Sequence, residues 1–284
     1  MMKTVLILLV IATMLSNIKN VVAQDVLDGI YVKEHVPARK FVPYYHLREA
    51  DVMWSKKIWR MLDLREKINH PLYFPKKPVD DRMSLIDLLQ YGMEKANMIV
   101  YDASVDDEFK VPLTHEGLIE VFDAKDKTNM IEDVNTGQMV ETVVKGEITS
   151  SEVLKYLMKE VWFFDKQKGR LDVRIVGLCP LRMYYRDDDL EQVDQKTRQV
   201  FWVYFPAARP LFANHEVFNV NNDAERRTFD DMFFKRLFNS YIYQETNVYD
   251  NRRIDAYQMG LDAILEAEKI KNKIFELEHD LWEY

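Results

Sequence analysis

Thr149-Ser-Ser-Glu-Val-Leu-Lys-Tyr-Leu-Met-Lys-Glu-Val-Trp-Phe-Phe-Asp165 runs into Lys166-Gln-Lys-Gly-Arg170 and then into Leu171 to Tyr185, and the reading of this stretch decides the fold. Thr149 and Glu152 have capping-box spacing, in which a hydroxyl and a carboxylate satisfy the orphan amides of a helix start. Val153, Leu154, Leu157, Met158 and Val161 then recur on one helical face, with Lys155 and Lys159 on the other. That spacing predicts a helix closed by Trp162-Phe163-Phe164. Lys166 to Arg170 turns the chain, and Leu171 to Tyr185 reads as a long strand because Val173, Ile175 and Gly177 alternate with Asp172 and Arg174. Polar Arg186 to Lys196 separates it from a second strand, Val200 to Phe205. The expectation is an α+β fold: several amphipathic helices packed on a small antiparallel sheet, with an extended N-terminal arm and a long C-terminal helix.

Outward from this centre, Glu49 to Asn69 reads as a helix with Trp54, Ile58, Met61, Leu62 and Ile68 as its stripe, stopped by Asn69-His70-Pro71. Trp59 widens that face sideways, toward either the core or a partner. Ser84 caps a short helix carrying Leu85, Leu88, Leu89 and Met93, and Met98 to Tyr101 is a short strand. Asp102 to Glu108 is an acidic loop, and Leu113 to Phe122 fits either element. Ile131 to Val134 and Gln138 to Val144 flank Asn135-Thr-Gly137 as a hairpin. Pro206 to Asn222 reads as a loop, and Thr228-Phe-Asp-Asp231 caps a helix with Phe229, Phe233, Leu237 and Tyr241 every fourth residue. Capped helix followed by aromatic strand recurs at Ser84 to Tyr101, Thr149 to Phe164 and Thr228 to Tyr243, which suggests a degenerate repeat within a body of residues 49–250. From residue 251 to 284 a helix carries Ala256, Gly260, Ala263, Ala267, Ile270, Ile274, Leu277 and Leu281 as a heptad-like seam. The seam fits packing on the chain's own body or docking to another subunit.

The first 23 of the 284 residues read as a cleaved signal peptide: Lys3 in the n-region, Val5 to Leu15 as the apolar run, and Val21-Val-Ala23 before Gln24. Removing them takes away Lys3 and Lys19 and no acid, which deepens the net charge from −8 to −10. Such an acidic chain disfavours binding to a nucleic-acid backbone. Cys179 is the only cysteine, so no internal disulfide can form. The remaining residues are apolar and aromatic enough for a sizeable core. Residues 24–48 form an arm without clear period, pushed toward extended backbone by Pro37 and Pro43. It is rich in aromatic and basic residues and reads as a strap across another surface. The candidate contact residues are Tyr31, Arg39, Phe41, Tyr44 and Tyr45 on the arm, Trp59, and Ile270, Ile274, Leu277 and Leu281 on the last helix.

Tyr31-Val-Lys-Glu-His-Val-Pro-Ala-Arg-Lys, Arg48-Glu-Ala-Asp-Val-Met-Trp-Ser-Lys-Lys-Ile-Trp-Arg and Leu64-Arg-Glu-Lys-Ile-Asn-His-Pro-Leu resemble the GldN family, called PorN in its non-gliding members. The resemblance continues through Trp162-Phe-Phe-Asp-Lys-Gln, Asp172-Val-Arg-Ile-Val-Gly-Leu-Cys-Pro and Ser240-Tyr-Ile-Tyr-Gln-Glu-Thr-Asn-Val-Tyr-Asp. It implies a subunit of the gliding-motility and type IX secretion machinery of Bacteroidota. Such a subunit lies in the periplasm below the outer membrane, forms a ring with a GldK/PorK-like lipoprotein and contacts a GldM/PorM-like motor-linked protein. No catalytic residue comes with the resemblance.

The residues add what chemistry is missing. No two of the eight glycines are closer than eight positions, so neither a P-loop nor a dinucleotide fingerprint can be written. His35, His46, His70, His115, His215 and His279 show no zinc-protease pattern. The acidic runs lack the glycine and glutamate of a calcium loop, and Cys179 lies in an apolar strand. No cofactor or metal is expected. A chaperone or carrier of exported clients, and less readily a cell-wall hydrolase, are the alternative roles.

Overall fold

The computed structural model describes residues 38–79, 82–122, 124, 127–132, 139–144, 150–185, 195–219, 221–222 and 224–282, with the backbone alone at 115, 127–132, 139–144 and 282. The leader, Tyr31, the Thr149 cap, the Asn135-Thr-Gly137 turn and most of the polar stretch from Arg186 to Lys196 lie outside the described residues. The strands are β1 (Val52–Asp63), β2 (Val100–Asp102), β3 (Lys127–Glu132), β4 (Met139–Val144), β5 (Val153–Asp165), β6 (Arg170–Tyr184), β7 (Lys196–Gln199), β8 (Phe201–Tyr204), β9 (Glu216–Val217), β10 (Arg227–Thr228) and β11 (Tyr241–Glu245). The helices are α1 (His70–Tyr73), α2 (Leu85–Lys95), α3 (His115–Val121), α4 (Phe205–Ala213), α5 (Phe229–Phe234) and α6 (Leu261–Trp282). The fold is α+β. A seven-stranded antiparallel sheet runs in the order β11-β1-β5-β6-β8-β2, with β7 also paired to β6. The pairs β3-β4 and β9-β10 stand as separate two-stranded sheets.

Two expected helices are strands. Val52–Asp63 is β1 and Val153–Asp165 is β5, and they pair along their length, with Leu62 opposite Tyr156 and Met61 opposite Leu157. The reason lies in burial. Tyr156 and Met158 join a core with Leu62, Leu88, Phe205 and Phe212, whereas their neighbour Leu157 points the other way, into a cluster with Met61, Cys179, Leu181 and Trp202. A strand covered on both faces carries apolar residues at successive positions, so the period-two signal disappears and helical spacing can be traced through it. The aromatic and β-branched residues Trp54, Ile58, Trp59, Val161, Trp162 and Phe163 are the feature that favours strand. The middle unit of the suggested helix–strand repeat is therefore strand from Val153 onward, after a single 3-10 turn at Ser150–Glu152.

The turn after β5 forms as its residues dictate: Gly169 takes φ +59° and its N–H donates to Asp165 O at 2.8 Å. Pro206 to Ala213, expected as loop, lies in helix α4, with Pro206 in the first turn where a missing N–H costs nothing. Ser84 Oγ accepts from Asp87 N–H at 3.3 Å to start α2, and Thr228 and Asp231 exchange reciprocal bonds at 3.2 Å to start α5. Arg236, at φ +54°, follows the end of α5, so Tyr241 belongs to β11 rather than to the helix. Leu113 to Phe122 resolves as helix α3, capped by Thr114.

Helices α2, α4 and α5 cover one core through Leu85, Leu88, Phe205, Phe212, Phe229 and Phe233. Helix α6 docks its seam on the sheet. Ala267, Ile270 and Ile274 pack with Ile58, Ile242 and Ile254, joined by Trp54, Trp162 and Leu171. The seam predicted from sequence exists from Ala263 to Ile274, and its partner is the chain's own body; Ala256 and Gly260 are exposed and precede the helix, Gly260 at φ +58°. Ile270→Ala should therefore cost about 2–5 kcal/mol of stability, as buried truncations do. Leu265→Ala, on an exposed position of the same helix, should stay within about 0.5 kcal/mol. Urea unfolding of the two variants checks this, and equal effects would contradict the packing.

Candidate interaction surface

Residues 38–47 cross the body without regular structure and are tied down by side chains. Arg39 Nη1 lies 2.8 Å from Asp231 Oδ2 on α5. Phe41 and Tyr44 stack over the Arg209 guanidinium at 5.0 and 4.6 Å, and Phe234 closes the box at 5.4 Å. Inside that box Arg209 grips Asp230 through Nε–Oδ1 at 2.8 Å and Nη2–Oδ2 at 3.1 Å. Arg209 is 1% exposed. A charge so removed from water needs a bidentate partner, and aromatic faces suit the outward side of the guanidinium. Further along, Arg174 Nη2 donates to Tyr45 O at 2.7 Å and the Tyr45 hydroxyl donates to Asp172 at 3.2 Å. Burial, then the Asp172 and Asp165 carboxylates, push the Tyr45 phenol up to about 12.

These contacts relocate the arm candidates. Phe41, Tyr44 and Tyr45 are half-buried on the chain's own α4, α5 and β6, and Arg39 is exposed but paired. The arm's cover of its own body leaves edges of these residues, rather than whole side chains, facing outward.

Trp59 belongs to the core. It is 4% exposed and its indole N–H donates to Asp107 Oδ2 at 2.6 Å. Lys159, also buried, donates to Asp107 O at 2.7 Å and has its Nζ 3.2 Å from Asp107 Oδ2. The Lys159 ammonium stands over Trp59 and Phe109 at 5.6 and 5.7 Å. The acidic stretch from Asp102 to Glu108 is thus partly a structural lid, with Asp107 neutralising a buried lysine. Ile270 and Ile274 are buried against the sheet, while Leu277 and Leu281 are half-buried on the same seam. As partner contacts, Trp59, Ile270 and Ile274 are corrected: their side chains already have intramolecular neighbours.

The outward apolar surface is elsewhere. Val248, Tyr249, Met259, Leu261, Ile264, Leu265 and Phe275 are exposed, Met259 by 84% and Phe275 by 68%. They fall between β11 and the later turns of α6, and Ile264 among them lines a groove of about 710 Å³ together with Met61, Leu157, Leu181, Tyr243 and Ile254. Sequence reasoning followed the stronger seam of α6 and passed over Leu261, Leu265 and Phe275, whose own spacing of four and ten residues marks a second stripe.

Among the described residues no group of three or more His, Cys, Asp or Glu side chains is placed to hold a metal ion. Cys179 is fully buried, and burial pushes its thiol up, away from the reactive thiolate. No helix among the described residues is long and apolar enough to cross a membrane.

Fold and surface together define a class: an α+β body whose central strand is covered on both faces and which carries a run of exposed apolar side chains from Val248 to Phe275. The family model for the gliding motility associated protein GldN matches residues 47–283, and the chain belongs to that family. Comparison with curated proteins gives no match.

Two outcomes test this geometry. Asp230→Ala leaves a buried guanidinium without its carboxylate and should cost about 3–5 kcal/mol, whereas replacing both Arg209 and Asp230 by apolar residues should cost less. Denaturant midpoints of the single and double variants decide it. For Tyr45, the unfolded phenol ionises near 10.0 and the folded one at about 12. Between those values the folded chain keeps a proton that the unfolded chain has lost, so stability falls as pH rises through the window. Tyr45→Phe should flatten that fall in a series of unfolding curves, and an unchanged slope would contradict the assignment.

Proposed function

We propose that this chain is a structural, non-enzymatic subunit of the type IX secretion and gliding-motility machinery. In this reading it is exported by its leader and works in the periplasm, at the inner face of the outer membrane. It forms a ring with a GldK/PorK-like outer-membrane lipoprotein and meets a GldM/PorM-like motor-linked protein. The observation that carries the reading is the family match over residues 47–283. The leader-like first 23 residues supply the route of export. The exposed apolar residues from Val248 to Phe275 are the kind of surface that subunits cover in an assembly. The arm fits the same role, since it locks onto α5 and the edge of β6 and leaves Val42 exposed beside them.

The test is photo-crosslinking in intact cells from probes at Val42 and Met259, followed by gentle extraction. The expected result is a covalent adduct with an outer-membrane lipoprotein and co-purification of that lipoprotein with the unmodified chain. A monodisperse monomer, extracted without any lipoprotein and giving no adduct from either position, would contradict the reading.

A further inference from the structure

Helix α6 carries two stripes. One is the seam on the sheet, centred on Ile270. At about 100° per residue, Leu265, Glu268, Asn272 and Phe275 lie roughly 180° from Ile270, directly away from the body. All four are exposed, Leu265 by 57% and Phe275 by 68%. Their spacing of three, four and three residues is that of the a and d positions that pair helices in a coiled coil.

The order of chemistry along the stripe is symmetric. Reading from either end gives apolar, polar, polar, apolar. Laid antiparallel against a second copy about a two-fold axis at Ile270, Leu265 meets Phe275 of the other copy, and Glu268 meets Asn272. Both kinds of layer then occur twice, as an isologous interface requires. The Asn272 amide can donate to the facing Glu268 carboxylate, so no polar group is buried alone. Lys271 flanks the stripe within 3.3 Å of its own Glu268 and would lie beside the Glu268 of the other copy. Lys269 is paired with Glu266 at 3.3 Å, which offsets the like charges that meet across the axis.

We infer that the outer face of α6 is a self-association site, taking the same face of a second copy of this chain in antiparallel register through Leu265, Glu268, Lys271, Asn272 and Phe275. The inference rests on the assembly reading and narrows it, giving to a second copy the α6 part of the exposed segment from Val248 to Phe275.

Sedimentation of the purified mature chain over a wide concentration range tests it, with variants chosen at exposed positions so that the fold is kept and circular dichroism checks it. The native chain should show a reversible monomer–dimer equilibrium. Leu265→Asp puts a charge against an apolar ring and should weaken the dimer by at least about 100-fold. E268K faces two like charges across the axis and should weaken it at least about tenfold. The double variant E268K/K271E exchanges the two charges and should recover to within about threefold of the native chain. A native chain that stays monomeric throughout, a dimer indifferent to Leu265→Asp, or a double variant no better than E268K would each overturn the proposal. Lipoprotein capture by the same variants reads the assembly role separately, so failure of one is distinguishable from failure of the other.

Discussion

Burial of β5 on both faces is the constraint on which the rest of the structure depends. Tyr156 and Met158 need helices above them, and Leu157 needs a cover below. Helices α2, α4 and α5 meet the first need. The second is met by β1 and β6 residues of the same face, Met61, Cys179 and Leu181, together with Trp202, Phe109 and the acidic stretch that brings Asp107 over Trp59 and Lys159. Covering a 13-residue strand from both sides takes charge out of water with it, here at Lys159 and Glu160.

Most of the buried charges here face an opposite charge, while Asp165 takes the Gln167 backbone N–H at 2.9 Å. Lys159 finds Asp107, Glu160 has Arg236 Nη1 at 2.8 Å and the Trp162 indole at 2.9 Å, and Arg209 holds Asp230. Removing one partner of such a pair leaves a charge without water or counter-charge, so these pairs enforce one arrangement of the elements that bring them together. Arg209 and Asp230 join α4 to α5, and the arm seals them. Stability and the position of the arm are therefore linked through one guanidinium.

How much of this could be read in the residues varied with how local the signal was. Caps at Ser84 and Thr228, the Gly169 turn and the seam of α6 from Ala263 follow from patterns a few residues long and are legible, as is the β3-β4 pairing, although β3 begins at Lys127, four residues before the strand expected there. In 153–165, and in the second half of 52–63, cover on both faces erases alternation, a property of neighbours far away in sequence, whereas over 52–57 burial still alternates. Pro206 and Pro210 hid α4, although a proline in the first turn is compatible with a helix. The aromatic and basic arm was legible as a contact element, but its target was not: Arg209 and Asp230 are 21 residues apart and nothing local marks them as a pair. On α6 the deeper seam draws the candidate contacts to Ile270 and Ile274, while the exposed apolar residues Leu261, Leu265 and Phe275 stand on the opposite face.

The account makes the chain a building block whose inner strands are sealed within one molecule and whose segment from Val248 to Phe275 is left for neighbours. Hydrogen–deuterium exchange on the isolated chain and on the same chain in its membrane-extracted assembly measures this most directly. The account predicts slow exchange along β5 in both states, and protection at Val248 to Phe275 that increases in the assembly. Fast exchange along β5 in the isolated chain, or a segment from Val248 to Phe275 unchanged by assembly, would contradict it.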